Sequence, residues 1–506
     1  MLFSLAIANS ACTKFLDVKP IGQLIPTKVE DLENLLNNTN TIDYHFFDNN
    51  RGSFYAFLGD NLRISDNQQK YLYVSTHPNT DRIAGYTFYH PYTDPTKPQI
   101  TWELGIYRAV AVFNTVIDEV KEMNADQSDL GKIITAQSKA GRAWSYMMGA
   151  LVYGPMYNPN GPNDHKVLPY RTAGSPIVPN PMLSTTAEVL DLAEQDLLDA
   201  QAAPAIVGNP TRANLTAVEG LLAQLYMFKR DWKKMQQYTE SAWAKALANK
   251  GSVDNLIYDF NKFKYQTDPS AYNYPGTDVE VGLELIGQDN LITLPENREF
   301  LFYRMTPYSF SHYPSTDFLN LFDTQNDTRY KLFALRYFGY ATISGGVRHD
   351  DGIQRFYYRD YKMASNQGLT YPELLLMKAE ANARLNNLAA ALADLNLLRK
   401  YRYAVSAAVL ANGASLTQDQ LLEEILKERR RELPLGTFQR TLDIKRYALD
   451  AGKPWSKSKI EHTVGGKTYS ADVNSKYFTL EINNATIELN PEWGLIPNME
   501  PYVPVK

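Results

Sequence analysis

The stretch YPELLLMKAEANARLNNLAAALADLNLLRKYR, residues 371–402, decides the fold. Within it, Ala379, Asn382, Leu388, Ala391 and Leu398 stand at the offsets of a helix pair, and the same offsets recur earlier at Ala223, Tyr226, Trp232, Met235 and Ala242. Small residues at the first and fourth of these offsets, as at Ala379 and Ala391, let two antiparallel helices approach closely. The two pairs lie 156 positions apart (Ala223 to Ala379), so they do not form a tandem array. What they describe is a mostly α-helical scaffold interrupted by large insertions.

The offsets follow the tetratricopeptide pattern, with Arg230 and Asn386 standing where that pattern has glycine. Further helices are expected at 27–39 with Thr27 as N-cap, at 102–123, at 137–154 ending on a glycine, at 185–201 behind Thr185, across 211–248 as a pair, and at 418–433. In 102–123, Leu104, Val110, Phe113, Ile117 and Val120 fall on one helical face. Residues 41–100 and 258–365 have no sustained helical period and are dense in aromatics, Asn, Asp and Pro. Long insertions cost ordering entropy, and binding residues concentrate on loops carried by a rigid scaffold. A loop-rich tail is expected from about residue 450.

Composition narrows the function. The chain has 506 residues and a net charge of -5, without the basic excess that tracking a phosphate backbone requires, so nucleic acid is not an expected partner. No apolar run reaches the roughly 18 residues needed to cross a bilayer as a helix. The single cysteine, Cys12, excludes an intrachain disulfide and a cysteine-based metal cage. Before it stand a short apolar run, Leu2 to Ala8, and then Asn9, Ser10 and Ala11. An apolar run ending in small residues is the form of a secretory signal, and a cysteine at the cleavage site is open to lipidation. Residues 1–11 are therefore expected to be a signal remnant, Cys12 a lipidated mature N-terminus, and 12–26 a tether.

Several segments together resemble the SusD/RagB family of outer-membrane nutrient-binding lipoproteins of Bacteroidetes. KFLDVKPIGQ (14–23) is similar to the family's mature start, and WELGIYRAVAVFNTVI (102–117) to its tryptophan–tyrosine–asparagine helix. AQSKAGRAWSYMMGALVYGPMY (136–157) resembles the arginine–alanine helix and the glycine after it; 371–402 and EEILKERRRELPLGTFQRTLDIKRY (423–447) resemble the C-terminal repeat and the glutamate–arginine–arginine helix. LPLGTFQR (433–440) departs from the commoner phenylalanine–glutamate–glycine–x–arginine form, which leaves the ligand class open. The resemblance implies four tetratricopeptide units framing a loop-rich ligand region, divided into an N-terminal part (27–250, insertion 41–100) and a C-terminal part (251–506, insertion 258–365, repeat helices 370–447). It also implies a surface-exposed, lipid-anchored location on the outer membrane and a TonB-dependent transporter of the SusC type as partner. Such proteins deliver glycans, or in some branches peptides, and are not enzymes. A tetratricopeptide protein-interaction scaffold and a carbohydrate-active enzyme remain as alternatives.

Three groups of residues bear on chemistry. In LKERRRELPL (426–435), Glu428 and Glu432 lie one helical turn apart, as paired carboxylates of a glycosidase could. The interleaved Arg429, Arg430 and Arg431 hold both acids ionised, the opposite of what a general acid needs. RHDDGIQR (348–355) and DTQNDTR (323–329) crowd oxygen ligands that would suit a structural calcium ion, but neither forms a defined calcium loop, and turn chemistry accounts for both; no cofactor is expected. Tyrosine is the strongest signal: 8 lie in 44–107 and 14 in 258–371, out of 34. Tyr86, Tyr89, His90, Tyr92, Tyr272, Tyr274, Tyr308, His312 and Tyr313 sit in Pro-punctuated stretches and are the expected ligand residues, stacking on sugar C–H faces.

Overall fold

The computed structural model describes residues 26–38, 42, 53–71, 80–267, 283–286, 297–304, 313–336, 341–352, 354–357, 366–499 and 502. Cys12, Tyr272, Tyr274, Tyr308 and His312 lie outside them.

Helix α1 (Val29–Leu36) starts one residue later than Thr27 would set it: Lys28 occupies the cap, and the Thr27 N–H donates to Asp31 Oδ2 at 3.0 Å. Two short helices, α2 (Asp66–Tyr71) and α3 (Thr80–Tyr86), belong to the first insertion. A π-helical turn, Thr101–Tyr107, then runs into α4 (Arg108–Glu122). The wider turn shifts the helical phase. Leu104 is accordingly 40% exposed, while Val110, Phe113, Ile117 and Val120 are buried as expected. Helix α5 (Asp129–Tyr153) begins ahead of 137 because Ser128 caps it, its Oγ accepting the Gly131 N–H at 3.0 Å, and it ends on Gly154. A capping box of Thr185 and Glu188 opens α6 (Thr186–Asp199), Asn214 caps α7 (Leu215–Lys229), and Asp231 caps α8 (Trp232–Lys250). The second insertion contributes α9 (Thr316–Leu319). Thr370 caps α10 (Tyr371–Arg384), which leads into α11 (Leu388–Arg402), and Thr417 with Gln420 opens α12 (Gln418–Glu432). Helices α13 (Gln439–Tyr447) and α14 (Asn484–Glu488) complete the series.

The two segments that share offsets both fold as helical hairpins, α7–α8 and α10–α11, and α10 packs on α8 and α12. Their turns explain the missing glycines. Arg230 has φ 60° and Asn386 φ 63°, the left-handed conformation that glycine adopts without strain. The α4–α5 contact is equally close: a Cβ on Gly141 would stand 2.3 Å from the Phe113 ring. One apolar core runs from Phe54 to Trp493 and includes buried residues of α5, α7, α8, α10, α11 and α12.

Buried polar residues lock the helices in register. Arg142 on α5 donates from Nε and Nη2 to the Asp196 carboxylate on α6, both at 2.7 Å, and from Nη1 to Asn114 Oδ1 on α4 at 2.8 Å. Tyr170 Oη donates to the same carboxylate at 2.6 Å. The asparagine and arginine of the N-terminal motifs are thus structural.

Among the described residues the strands pair as two-stranded antiparallel ladders. They are β1 (Leu62–Arg63) with β7 (Tyr313–Pro314), β2 (Lys166–Pro169) with β3 (Leu183–Thr185), β4 (Lys264–Thr267) with β5 (Leu283–Ile286), β6 (Phe300–Phe302) with β12 (Leu369–Thr370), β8 (Phe333–Arg336) with β11 (Gln354–Tyr357), β9 (Ala341–Ser344) with β10 (Val347–Asp350), and β13 (Lys459–Val464) with β14 (Lys467–Asp472). The last ladder lies in the expected loop-rich tail. Gly465 and Gly466, both at positive φ, make its turn, and burial alternates along β13.

Candidate functional site

The β1–β7 ladder joins the two insertions: Leu62 pairs with Pro314 and Arg63 with Tyr313. Ahead of β1 the chain is fixed to the scaffold at Asp60. Arg440 clamps its carboxylate at 2.8 and 2.9 Å, and Lys457 and Arg430 approach at 2.7 and 3.2 Å. Burial alone would raise the Asp60 pKa; Arg440, Arg430 and Lys457 outweigh it and hold the carboxyl well below the usual range. Arg430 Nε also donates to Asn61 Oδ1 at 2.7 Å. From the other insertion, Ser315 donates its N–H to the Asn61 carbonyl at 2.8 Å and its hydroxyl to the Asp60 carbonyl at 2.6 Å, while its Oγ caps α9. The arginine of the divergent motif LPLGTFQR, Arg440, therefore sets where the first insertion leaves the helices.

Beyond this joint opens a cleft of about 620 Å³, with Arg63, Asp66, Tyr86, Thr316, Asp350 and Gln354 among its lining residues. Each is held from its own element. Arg63 donates from Nη2 to Gln354 Oε1 and lies 5.3 Å over the Tyr313 ring. Gln354 donates in turn to the Asp351 carbonyl at 2.8 Å. The Asp351 carboxylate accepts from Ser65 Oγ at 2.7 Å and Tyr313 Oη at 3.0 Å. Asp66 Oδ1 accepts the Gly465 N–H at 2.8 Å, which brings the missed β13–β14 turn to the rim. The arrangement offers planar polar groups in fixed orientation, suited to a polyhydroxylated ligand, with one tyrosine edge beneath them.

The expected aromatic shelf is corrected in part. Tyr86 lines the cleft, so the 84–94 stretch and the start of α9 do meet, but its ring is buried and stacked on His462 at 4.2 Å. Tyr313 is fully buried, its hydroxyl spent on Asp351. Tyr92 is buried against Phe54 and donates to the Tyr477 carbonyl at 2.6 Å. The His90 side chain is 4% exposed, 3.6 Å from Glu481, and burial pushes its pKa down against the pull of that carboxylate. Only Tyr89 among the described members is open to solvent, at 41%. Three rings are core because long insertions without regular structure bury their own aromatics. Arg63 and Asp66 carried no signal in the sequence; Asp350, Asp351 and Gln354 lie in the RHDDGIQR stretch, which read as a turn.

The carboxylates of 426–435 are structural. Glu428 is buried with Arg329 at 2.6 Å and Arg431 at 2.6 Å; burial raises its pKa, but Arg329, Arg431 and Arg399 outweigh that and hold it far below the carboxylate range. Glu432 meets Arg329 and Arg402, each at 2.9 Å. In 323–329, Asp323 accepts from the Gln325 and Asn326 N–H groups and Asp327 pairs with Arg329, so turn and ion-pair geometry occupy both acids.

A family model described as the SusD family matches residues 369–493, and one described as starch-binding associating with outer membrane matches 14–227. Among curated proteins, none matches. Solved structures share the fold. A SusD superfamily protein from Bacteroides thetaiotaomicron matches at TM-score 0.65 and 16% identity over 92% of this chain and 98% of that one. A SusD superfamily protein from Bacteroides vulgatus gives 0.61, 17%, 92% and 98%, and a SusD-like carbohydrate binding protein from the same species gives 0.57, 18%, 94% and 99%. Helical scaffold, ordered motifs and matches at both ends agree, and the chain belongs to the SusD/RagB family.

Proposed function

We propose that this protein captures glycans at the outer membrane and delivers them, without catalysis, to a TonB-dependent transporter of the SusC type. The observation that carries the reading is the cleft at the β1–β7 joint, where both insertions present hydrogen-bonding groups of fixed orientation. The description of the matching N-terminal family model, starch-binding associating with outer membrane, and the carbohydrate-binding structural neighbour support it. Sugar hydroxyls donate to Asp66, Asp350 and Gln354 and accept from Arg63, while a ring face rests near the Tyr86 edge. Hydrogen bonds to charged groups are worth about 1.5–3 kcal/mol each, so a few suffice for micromolar capture. Lipidation of Cys12 would tether the protein at the surface.

A second groove, of about 780 Å³, presents Trp102, Tyr107 and Trp493 with Arg108, which has no ion-pair partner among the described residues. It is the alternative glycan seat. Isothermal calorimetry against glycan and peptide panels, with Arg63→Ala and Arg108→Ala, separates the possibilities. Loss of glycan binding in Arg63→Ala alone is expected. Loss in Arg108→Ala alone moves the seat to the second groove, and peptide binding without glycan binding overturns the glycan reading. Intact-mass measurement on native membranes tests the anchor: residues 1–11 absent and acyl mass on Cys12 are expected, and a native form retaining Met1 refutes it.

A further inference from the structure

We infer that His462 is a positioning residue of the cleft and works as an imidazolium, so that ligand capture strengthens as the medium turns from neutral to mildly acidic. This rests on the glycan-binding reading and adds a regulator to the same site. His462 lies on β13, buried, next in the chain to Thr463, which lines the cleft. Its Nδ1 meets the Tyr86 carbonyl oxygen at 2.7 Å and its Nε2 the Gly59 carbonyl oxygen at 2.8 Å. A neutral imidazole has one N–H and one lone pair, so it gives a donor to one of these oxygens and turns a lone pair on the other. The imidazolium donates to both. The ring is also stacked between Tyr86, at 4.2 Å and 4°, and Phe88, at 4.9 Å and 9°. Two aromatic faces favour a cation between them. Phe88 itself has φ 51°, a left-handed backbone that is uncommon for a bulky residue and persists where surrounding contacts over-determine it.

Both carbonyls belong to chain that shapes the cleft. Gly59 precedes Asp60, which Arg440, Arg430 and Lys457 clamp ahead of β1. Tyr86 lines the cleft, and its hydroxyl is hydrogen-bonded by the backbone of Ile64, the residue after Arg63. One ring thus joins the β13–β14 hairpin to the chain on both sides of Arg63. The titratable groups facing it are Asp60 ahead of β1, Tyr86 on α3 and Tyr469, its partner across β14. Lys459 and Glu461 pair with each other at 2.6 Å on the exposed face of β13. The three cations keep Asp60 ionised, and His462 is the member of the group that changes charge between pH 5 and 8. Burial pushes its pKa down, against the two carbonyls and Asp60. Charging accordingly takes place below the ordinary imidazole value, about 6.5. Stability and affinity then move in opposite directions. With the folded pKa lowered, the contribution of His462 to stability is present above about pH 6.5 and is lost as pH falls through the folded value. Affinity rises over the same range, because the charged ring completes the bridge that sets β1 and Tyr86.

The test is calorimetry at pH 5.0, 6.0 and 7.5 with neutral gluco-, manno- and galacto-oligosaccharides, beside nitrogen-15 spectra of histidine-labelled, ligand-free protein. The lowest pH stays above the ordinary carboxylate range, about 3.9–4.3. Wild type is expected to bind at least about threefold more tightly at pH 5.0 than at pH 7.5, with both His462 nitrogens protonated at pH 5.0 and a melting temperature no higher there. His462→Gln, which retains a donor and does not titrate, is expected to lose this pH dependence. His349→Gln, which removes the histidine beside Asp350 on β10, is expected to retain it. Wild-type affinity that is flat or falls with acid, or a profile unchanged in His462→Gln, overturns the inference while leaving glycan capture standing. If His462→Gln does not fold, the wild-type spectra decide: a His462 nitrogen still unprotonated at pH 5.0 overturns it. If no oligosaccharide binds at any of the three pH values, the glycan reading itself fails, and its regulation with it.

Discussion

Replacing Arg329 by Leu tests whether the charged helix α12 is a structural clamp. Arg329 is fully buried and reaches three carboxylates: Asp327 at 2.7 Å, Glu428 at 2.6 Å and Glu432 at 2.9 Å. Among the described residues, Asp327, Glu428, Glu432 and Glu299 face Arg329, Arg402, Arg431 and Arg399. Arg329→Leu removes the guanidinium that Asp327, Glu428 and Glu432 share, and removing one partner of a buried ion cluster costs about 3–5 kcal/mol. With about 2.1 cal/mol/K of unfolding entropy per residue and 506 residues, one-unit unfolding carries roughly 1 kcal/mol/K, so calorimetry should show a melting temperature about 3–5 °C lower at pH 7. The sign of the pH dependence follows from Glu428. Its folded pKa is depressed, so its contribution is present above the unfolded value, about 4.3, and is lost as pH falls toward the folded value. The gap between wild type and variant should therefore narrow below about pH 4.3. Adding Glu428→Gln should restore part of the loss by removing the orphaned charge. A drop under about 1 °C, or one equally large at pH 3.5 and pH 7, would refute the reasoning.

Tyr313→Ala should lower stability by about 3–5 kcal/mol in urea titration, because the ring is fully buried; Tyr89→Ala, on an exposed ring, should leave it within about 0.5 kcal/mol. Asn386→Gly should raise stability by about 1 kcal/mol by relieving a left-handed backbone, and Asn386→Ala should lower it; equal effects in denaturant titration would refute the turn argument. Gly141→Ala, which places a Cβ 2.3 Å from the Phe113 ring, should cost about 1–3 kcal/mol, read as a lowered denaturation midpoint. Arg63→Ala should weaken a confirmed glycan ligand about tenfold or more with little change in melting temperature, and unchanged affinity by calorimetry would remove the cleft as the seat.

The scaffold was legible because helix pairs are specified locally. Caps such as Thr185, Asn214 and Thr417 sit within three residues of the N–H groups they satisfy, and apolar spacing in 221–243 and 377–398 marks the faces that meet. Errors arose where local rules were overridden. The π-turn at Thr101–Tyr107 rotated Leu104 outward, and periodicity at 3.6 residues cannot show an inserted residue. The β13–β14 hairpin was missed although Gly465–Gly466 lies between its strands, because the alternation there carries few aliphatic residues and competes with lysines and a histidine.

The site was less legible for a reason that concerns tyrosine itself. A ring with a hydroxyl serves equally as a sugar platform and as the filling of a core without regular structure, and composition does not separate the two uses. Tyr313 shows the second use completely: its ring underlies Arg63 and its hydroxyl orients Asp351, so it shapes the cleft from behind rather than touching what enters. Arg63 and Gln354 are distant in sequence and meet at the joint where β1 pairs with β7 and Asp60 is clamped by Arg430 and Arg440 from the helical scaffold, a contact across 370 residues or more. The geometry of the cleft thus depends on the most helix-like part of the chain: loosening Asp60 is expected to move β1, and with it the Arg63 guanidinium that lines the cleft.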